Sequence, residues 1–277
     1  MSNSMDLESL FGLKGKTALV TGGSRGIGFM ISRGLLEAGA RVYITARKGQ
    51  PCEQAAQELS QWGECIAAPA DVTSESDRLA LRDRIESEQG KLHILVNNAG
   101  AAWGASYEEY PQSGFARVMD INVSAMFCLT RDLTPLLEQA ASEGDPARVI
   151  NIGSMEGLHV PSVHSTGSYA YPASKAAVHH LTRHLAVDLG DRGITVNAVA
   201  PGFYPSQLTT QIFDQQLQQV EENSPLGRVG KAEEMAGVAV YLSSKAGAYT
   251  SGAIIPVDGA TSINHQHMRS PWPEQFV

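Results

Sequence analysis

The amino-acid sequence predicts an α/β fold in a single domain, built as a parallel sheet with helices on both faces. Three observations carry that expectation. Short apolar runs rich in Val, Ile or Leu alternate along the chain with longer helical patterns. The runs are apolar throughout, as strands covered on both faces must be. No Pro/Gly/Ser-rich linker or internal repeat divides the 277 residues, a length that one α/β domain commonly reaches.

Seven runs read as buried strands: Thr17 to Val20, Val42 to Thr45, Cys65 to Ala68, Ile94 to Val96, Val149 to Ile152, Val196 to Val199 and Ile254 to Val257. Helix-length segments such as Gly26 to Ala38 and Ser74 to Gln89 lie between them. The alternation requires right-handed crossovers. The domain is expected over residues 13–261, after a loose N-terminal arm of residues 1–12. Residues 262–277 read as a tail containing Pro271 and Pro273. That tail is either disordered or an arm that lays Trp272 and Phe276 on a neighbouring subunit.

Composition narrows the function. A hydrophobic fraction of 43% supports a sizeable core. The formal net charge of −8 disfavours nucleic acid and anionic membranes as partners, since both need clustered Lys and Arg. No apolar run approaches the length of a membrane span. The N-terminus lacks the basic start of a secretory signal. Cys52, Cys65 and Cys128 are few and show no C-x-x-C spacing. They fit a reducing, cytoplasmic setting with neither a disulfide framework nor a zinc site.

The first strand runs into Thr21-Gly22-Gly23-Ser24-Arg25-Gly26-Ile27-Gly28, and a helix follows. Glycines let backbone approach a pyrophosphate closely, and a helix N-terminus supplies free amides. A binder of NAD usually ends its second strand in an acid, which takes the ribose hydroxyls. Here that strand ends in Ala46-Arg47-Lys48. Arg47 can pair with a 2′-phosphate in a fork, and Arg25 is a second candidate. These residues point to NADP(H); the alternative is that Arg47 and Lys48 are ordinary surface charges.

Tyr171-Pro172-Ala173-Ser174-Lys175 opens a helical pattern that runs to about Leu189. Residues four apart share a helix face, so Tyr171 and Lys175 point the same way. A nearby ammonium lowers a phenol pKa from about 10. A phenol so tuned exchanges protons near neutral pH. Ser154 follows a strand at the end where open α/β sheets bind ligands; its hydroxyl could hold a carbonyl oxygen or serve only as a turn residue. Asn122, in an apolar helical pattern, could hold a water linking Lys175 to solvent or be a satisfied structural amide. His179, His180 and His184 suggest a metal, but no third ligand has a suitable spacing, so none is assigned.

Taken together these residues resemble the short-chain dehydrogenase/reductase superfamily, over about Leu13 to Ala260. Thr21-Gly22 through Gly26 and Gly28 resembles its T-G-x-x-x-G-x-G turn. Asp71-Val72 resembles the pair beside the adenine, and Asn97-Asn98-Ala99-Gly100 the N-N-A-G segment lining the cofactor cleft. Asn122, Ser154, Tyr171 and Lys175 match the catalytic tetrad. Pro201-Gly202 matches the turn near the nicotinamide, and Ser206 falls where a Thr often contacts the carboxamide. The resemblance implies a doubly wound, Rossmann-type parallel sheet of about seven strands and a homo-oligomer, tetramer or dimer. It also implies an NADP(H)-dependent oxidoreductase for a small carbonyl or alcohol. In the implied reaction Tyr171 gives the carbonyl oxygen a proton and Ser154 positions that oxygen. Lys175 lowers the Tyr171 pKa and binds ribose, while Asn122 carries the first water of a proton relay. Among its branches the chain is most similar to the 3-oxoacyl reductases. Ala46-Arg47, Ala102-Trp103-Gly104, Pro205-Ser206 and Met235 carry that likeness.

The sequence departs from the family's pattern in places. The segment from Ser154 to Tyr171 is long, its extra residues falling in Gly157 to Ser168 with His159, His164 and Ser165. Tyr169 lacks a Lys four residues on. Arg192 matches a position that docks acyl carrier protein, yet the stretch from Glu143 to Pro146 is acidic where a second basic residue belongs. Carrier docking is therefore disfavoured, and a free ketone or CoA thioester fits equally. Phe203, Tyr204, Leu208, Ile212 and Phe213 read as an apolar lid or as ordinary packing. Two other functions remain open: a dehydrogenase of steroids or secondary alcohols, and a non-catalytic NADP(H)-binding regulator. The complete Asn122, Ser154, Tyr171 and Lys175 set favours the enzyme.

Overall fold

The structure, a computed structural model, describes residues 6–160, 167–205, 217–218 and 220–264. Ser206, Leu208, Ile212, Phe213, His164, Ser165, Trp272 and Phe276 lie outside the described residues.

Seven parallel strands form one sheet: β1 (Thr17–Thr21), β2 (Arg41–Thr45), β3 (Cys65–Ala67), β4 (Ile94–Asn97), β5 (Ala147–Ile152), β6 (Ile194–Pro201) and β7 (Ile254–Val257). Every expected run falls on a strand; β3 stops one residue short, and β1, β2, β4, β5 and β6 run on by one or two residues at an end because ladder partners continue past the apolar core. Their order is β3-β2-β1-β4-β5-β6-β7. The order reverses between β1 and β4, which opens a crevice at their carboxyl ends.

Helices α2 (Gly26–Glu37), α3 (Gly49–Leu59) and α8 (Ala232–Ser243) cover one face, where Ile31, Leu35 and Met235 pack on Val20, Ile44 and Val199. Helices α4 (Glu75–Gln89), α6 (Ala125–Ala140) and α7 (Ala170–Asp188) cover the other, where Leu81, Leu133 and Leu185 pack on Leu19, Leu95 and Val149. Two contiguous apolar layers on one sheet explain why the strands show no polar alternation. Helix α5 (Gln112–Met119) passes into α6 through a π-helical turn at Asp120–Ser124.

The N-terminal arm is not wholly loose. Leu7–Phe11 forms α1, capped by Asp6, whose carboxylate accepts from Glu8 N and Ser9 N at 3.1 Å each. It lies against the short turn Lys245–Gly247. A side-chain cap is a local interaction that hydrophobic periodicity does not report.

Candidate active site

After β1 the chain turns through Gly22 (φ 64°) and Gly26 (φ 53°), left-handed torsions that favour glycine. A Cβ on Gly28 would stand 2.3 Å from the Gly22 carbonyl oxygen, and one on Gly22 2.9 Å from Asn98 Nδ2. The turn Gly22 to Gly28, with Ser24 and Ile27 within it, thus packs main chain on main chain. No side-chain cap competes for the leading amides of α2.

The segment after β4 is tied to this turn. Asn98 Nδ2 donates to the carbonyls of Thr21 and Gly22 at 2.8 and 3.2 Å. The amides of Asn98 and Ala99 both donate to Thr21 Oγ1 at 2.9 Å. Asn97 and Asn151 carry the tie across β5, with Asn151 Nδ2 reaching Thr182 Oγ1 on α7 at 3.0 Å.

Arg25 and Arg47 flank the crevice mouth. Both are exposed, and neither side chain has a hydrogen bond or ion pair with a described residue. Asp71 lies just past β3, where its carboxylate accepts from Thr73 N and Oγ1 at 3.0 and 2.7 Å; Val72 is buried beside it. Pro201 ends β6, and a Cβ on Gly202 would meet Asp258 Cα at 2.7 Å. A crowded glycine cradle, an uncapped helix start and two uncommitted guanidinium groups suit a dinucleotide that carries an extra phosphate.

The four candidate catalytic residues converge at the neighbouring strand end. Ser154 is buried just past β5, and its Oγ accepts from Glu156 N at 3.1 Å. Tyr171 and Lys175 lie one turn apart on α7, which begins at Ala170. Lys175 Nζ stands 5.4 Å from the Tyr171 ring centroid and donates to the Ile152 carbonyl at 2.7 Å.

Asn122 occupies the π-helical turn, a distortion frequent at functional sites. Its Oδ1 accepts from Ala101 N at 2.8 Å, and its Nδ2 donates to Ala101 O at 3.0 Å and to Ser174 Oγ at 2.8 Å. The side chain thus clamps the main chain at Ala101, just past Gly100, to α7, with one Oδ1 lone pair to spare. A Cβ on Gly100 would lie 3.3 Å from Asn122 Oδ1 and 3.8 Å from Lys175 Nζ. Glycine there keeps the space between the two polar groups open.

The electrostatics differ from the sequence expectation. Lys175 was expected to lower the Tyr171 pKa; instead burial pushes the phenol up to about 12, the Glu156 charge adds to the rise, and the Ser154 hydroxyl opposes it. Burial pushes Lys175 down to about 8, while the Glu156 charge raises it. A low-dielectric surrounding disfavours phenolate and ammonium alike, and this outweighs their mutual attraction. The phenol holds its proton at neutral pH, which is the form that can donate. Glu156, whose own carboxyl is raised by burial, was missed in the sequence. Its one signal is a lone acid two residues after Ser154.

The comparisons with known proteins agree with this geometry. The family model described as enoyl-(acyl carrier protein) reductase matches residues 22–261. The chain is 49% identical to the rhamnolipids biosynthesis 3-oxoacyl-[acyl-carrier-protein] reductase of Pseudomonas aeruginosa, over 90% of this chain and 97% of that one. The chain belongs to the short-chain dehydrogenase/reductase family. It is also similar to the 5-keto-D-gluconate 5-reductase of Escherichia coli, at 34% identity over 93% of this chain and 99% of that one. Among solved structures, the Pseudomonas aeruginosa RhlG/NADP active-site complex superposes with a TM-score of 0.88 at 47% identity, covering 92% of this chain and 99% of that one. This short-chain dehydrogenase/reductase is therefore an NADP(H)-dependent oxidoreductase acting on the CH–OH/C=O pair.

Of the two readings of Tyr204, packing is the one met: it is 2% exposed in the core, and a Cβ on Gly230 would meet its Cζ at 2.3 Å. It borders a cavity of about 270 Å³ together with Phe203, Val220, Leu226 and Val257. His179 is buried while His180 and His184 are exposed, so the three do not converge. Tyr169 packs edge-on against Tyr107 and Tyr110, at 5.7 and 5.4 Å between ring centroids. Arg192 is paired with Glu138, Nε to Oε1 at 2.5 Å. No helix among the described residues is long and apolar enough to cross a membrane.

Proposed function

We propose that this short-chain dehydrogenase/reductase reduces a ketone to a secondary alcohol at Ser154, Tyr171 and Lys175, with β-ketoacyl thioesters as the substrate class. The observation that carries the reading is a Tyr171 phenol kept protonated beside a buried ammonium and a buried hydroxyl. The Gly22 to Gly28 turn, Asp71, Val72, Asn98 to Gly100, Pro201, Gly202 and Ser206 hold NADP(H), and Arg25 and Arg47 take its 2′-phosphate. When bound, that cofactor supplies hydride to the carbonyl carbon.

The residues of the chain manage the oxygen. The Ser154 hydroxyl donates to it and fixes its place. The Tyr171 phenol gives it a proton, forming the alcohol. The Lys175 ammonium stabilises the phenolate left behind and reaches ribose. A proton then returns from solvent through the space between Lys175 and Asn122.

The thioester assignment is supported by the acyl reductase relative. The Glu138 partner of Arg192 and the acidic Glu143 favour a free or CoA-bound acyl group over acyl carrier protein. We place the enzyme in the cytoplasm as a homo-oligomer, tetramer or dimer; the exposed Phe115, Phe127 and Val187 on α5, α6 and α7 support a helix-to-helix contact. Residues 13–261 form its domain, with residues 1–12 as an arm and 262–277 as a tail.

The test is NADPH oxidation at 340 nm by purified protein, with β-ketoacyl-CoA, free ketones and steroids in parallel and NADH as the control. Turnover of β-ketoacyl-CoA with NADPH is expected. Binding of NADPH without turnover of any class would favour the regulator reading, and turnover of steroids alone would move the substrate class.

A further inference from the structure

We infer that His179 is a positioning residue for Ser154, its buried ring forming the seat of the Gly153–Gly157 turn that carries the hydroxyl. The inference rests on the role of Ser154 proposed above.

His179 lies one helical turn beyond Lys175 on α7, and its ring is 3% exposed. The two glycines that bound the Ser154 turn both close on it. A Cβ on Gly153 would stand 2.2 Å from Nε2 and 2.7 Å from Cδ2, and a Cβ on Gly157 would stand 2.8 Å from Cε1. Neither glycine has a positive φ, so backbone torsion does not demand glycine at either place. The imidazole does at Gly153, because it fills the volume where a side chain would go; at Gly157 it shares that role with the Lys175 main chain, whose carbonyl carbon would stand 2.7 Å from such a Cβ.

The turn is held from its other side as well. Gly153 N donates to the Val199 carbonyl at 2.7 Å, and Gly157 N donates back to the Ser154 carbonyl at 3.0 Å. The turn therefore has a ladder bond at its start, its own bond at its end, and the His179 ring beneath both. Sliding the ring by even a fraction of its width would move Ser154 relative to Tyr171. A displacement of about 1 Å at a reacting group can cost on the order of 100-fold in rate.

The choice of histidine is itself informative. The ring meets the main chain of Gly157, whose hydrogen bond raises the imidazole pKa against the larger lowering by burial. An imidazole offers that main chain a polar edge, which an apolar side chain of similar size would not. Burial also holds the ring neutral, with its pKa pushed down to about 4. It therefore keeps one N–H and one shape throughout the range in which Tyr171 and Lys175 work. Among the described residues no cluster of His, Cys, Asp or Glu that could hold a metal includes it, and a neutral ring carries no charge; a fixed flat wedge is what remains.

The test is a double-mutant cycle on the full chain, reading kcat, KM and NADPH affinity for His179→Ala, Gly153→Ala and the double variant. His179→Ala is expected to lower kcat by about tenfold or more. NADPH affinity should hold, because the turn does not touch the glycine cradle. Gly153→Ala alone should also lose turnover, its methyl meeting the ring. The double variant should recover kcat above both singles, since the new methyl occupies the space that Nε2 vacates. Loss of NADPH binding in step with kcat would reveal general unfolding and overturn the inference. So would wild-type kcat in either single variant, or a double variant no better than the worse single. Ser154→Ala is the control: normal turnover there removes the role of Ser154 itself, a different failure from a silent His179.

Discussion

Lys175 donates its ammonium to the main-chain carbonyl of Ile152 at 2.7 Å, which anchors a helix side chain to the last residue of a central strand. The bond sets the charge beneath the Tyr171 ring, where it can meet a phenolate as it forms. Replacing Lys175 by Met is expected to lower kcat by about 100-fold or more and to weaken NADPH. Tyr171→Phe is expected to keep NADPH affinity while losing turnover to a similar degree. Titration by NADPH fluorescence beside steady-state rates separates the two variants. Normal ketone reduction by Tyr171→Phe would move the proton role to another group, with Tyr169 the first to test.

Arg47 lies two residues past β2, its guanidinium exposed and unpaired among the described residues. Its loss should fall on the cofactor that carries the 2′-phosphate. Arg47→Asp is expected to weaken NADPH relative to NADH by about 10- to 100-fold, the worth of a charge-assisted pair. Dissociation constants for both cofactors decide this, and an equal loss of both would show that Arg47 does not read the phosphate.

Glu156 raises both the Tyr171 phenol and the Lys175 ammonium. Removing its charge therefore lowers both. In Glu156→Gln, alcohol oxidation, which needs the phenolate, should begin at lower pH than in wild type. Ketone reduction, which needs the phenol, should fade at lower pH on its alkaline side. Parallel pH–rate profiles in the two directions test the pair of shifts; unmoved profiles would place the Glu156 charge outside the reach of the phenol.

His93 is held neutral by burial, with its pKa pushed down to about 4 from an ordinary 6.5. The folded state then binds fewer protons than the unfolded state between those values, so stability rises with pH across that window and is lost as pH falls through it. His93 Nδ1 also accepts from Thr17 N at 2.9 Å at the start of β1, a bond that only the unprotonated nitrogen makes. The melting temperature is expected to fall from pH 7 toward pH 4, and less steeply in His93→Gln. Equal slopes for the two proteins would assign the acid sensitivity to other groups.

Much of the fold was legible because its signals are local. The apolar runs fixed seven strands, and the glycine spacing fixed the turn into α2, since both reflect what each segment can bury or bend by itself. The pairing of Tyr171 with Lys175 was equally visible, because helix periodicity alone puts them on one face. The ends of elements were less so. The Asp6 cap on α1 and the extension of β6 to Pro201 depend on partners that no window of sequence contains.

The sequence by itself determined the sheet and the glycine turn into α2, and it put Ser154, Tyr171 and Lys175 forward as candidates. Each is written in residue type and short-range spacing. Only the tertiary structure decided how those groups are charged and held. The Tyr171 phenol rises rather than falls because burial is a property of everything packed around it. Tyr204 joins the core rather than a lid because Gly230, 26 positions away in the chain, closes over its ring. Asn122 is a clamp because Ala101 and Ser174 arrive at it from opposite directions. Desolvation and packing sum over neighbours that are distant in sequence, and so they are set only when the chain has folded.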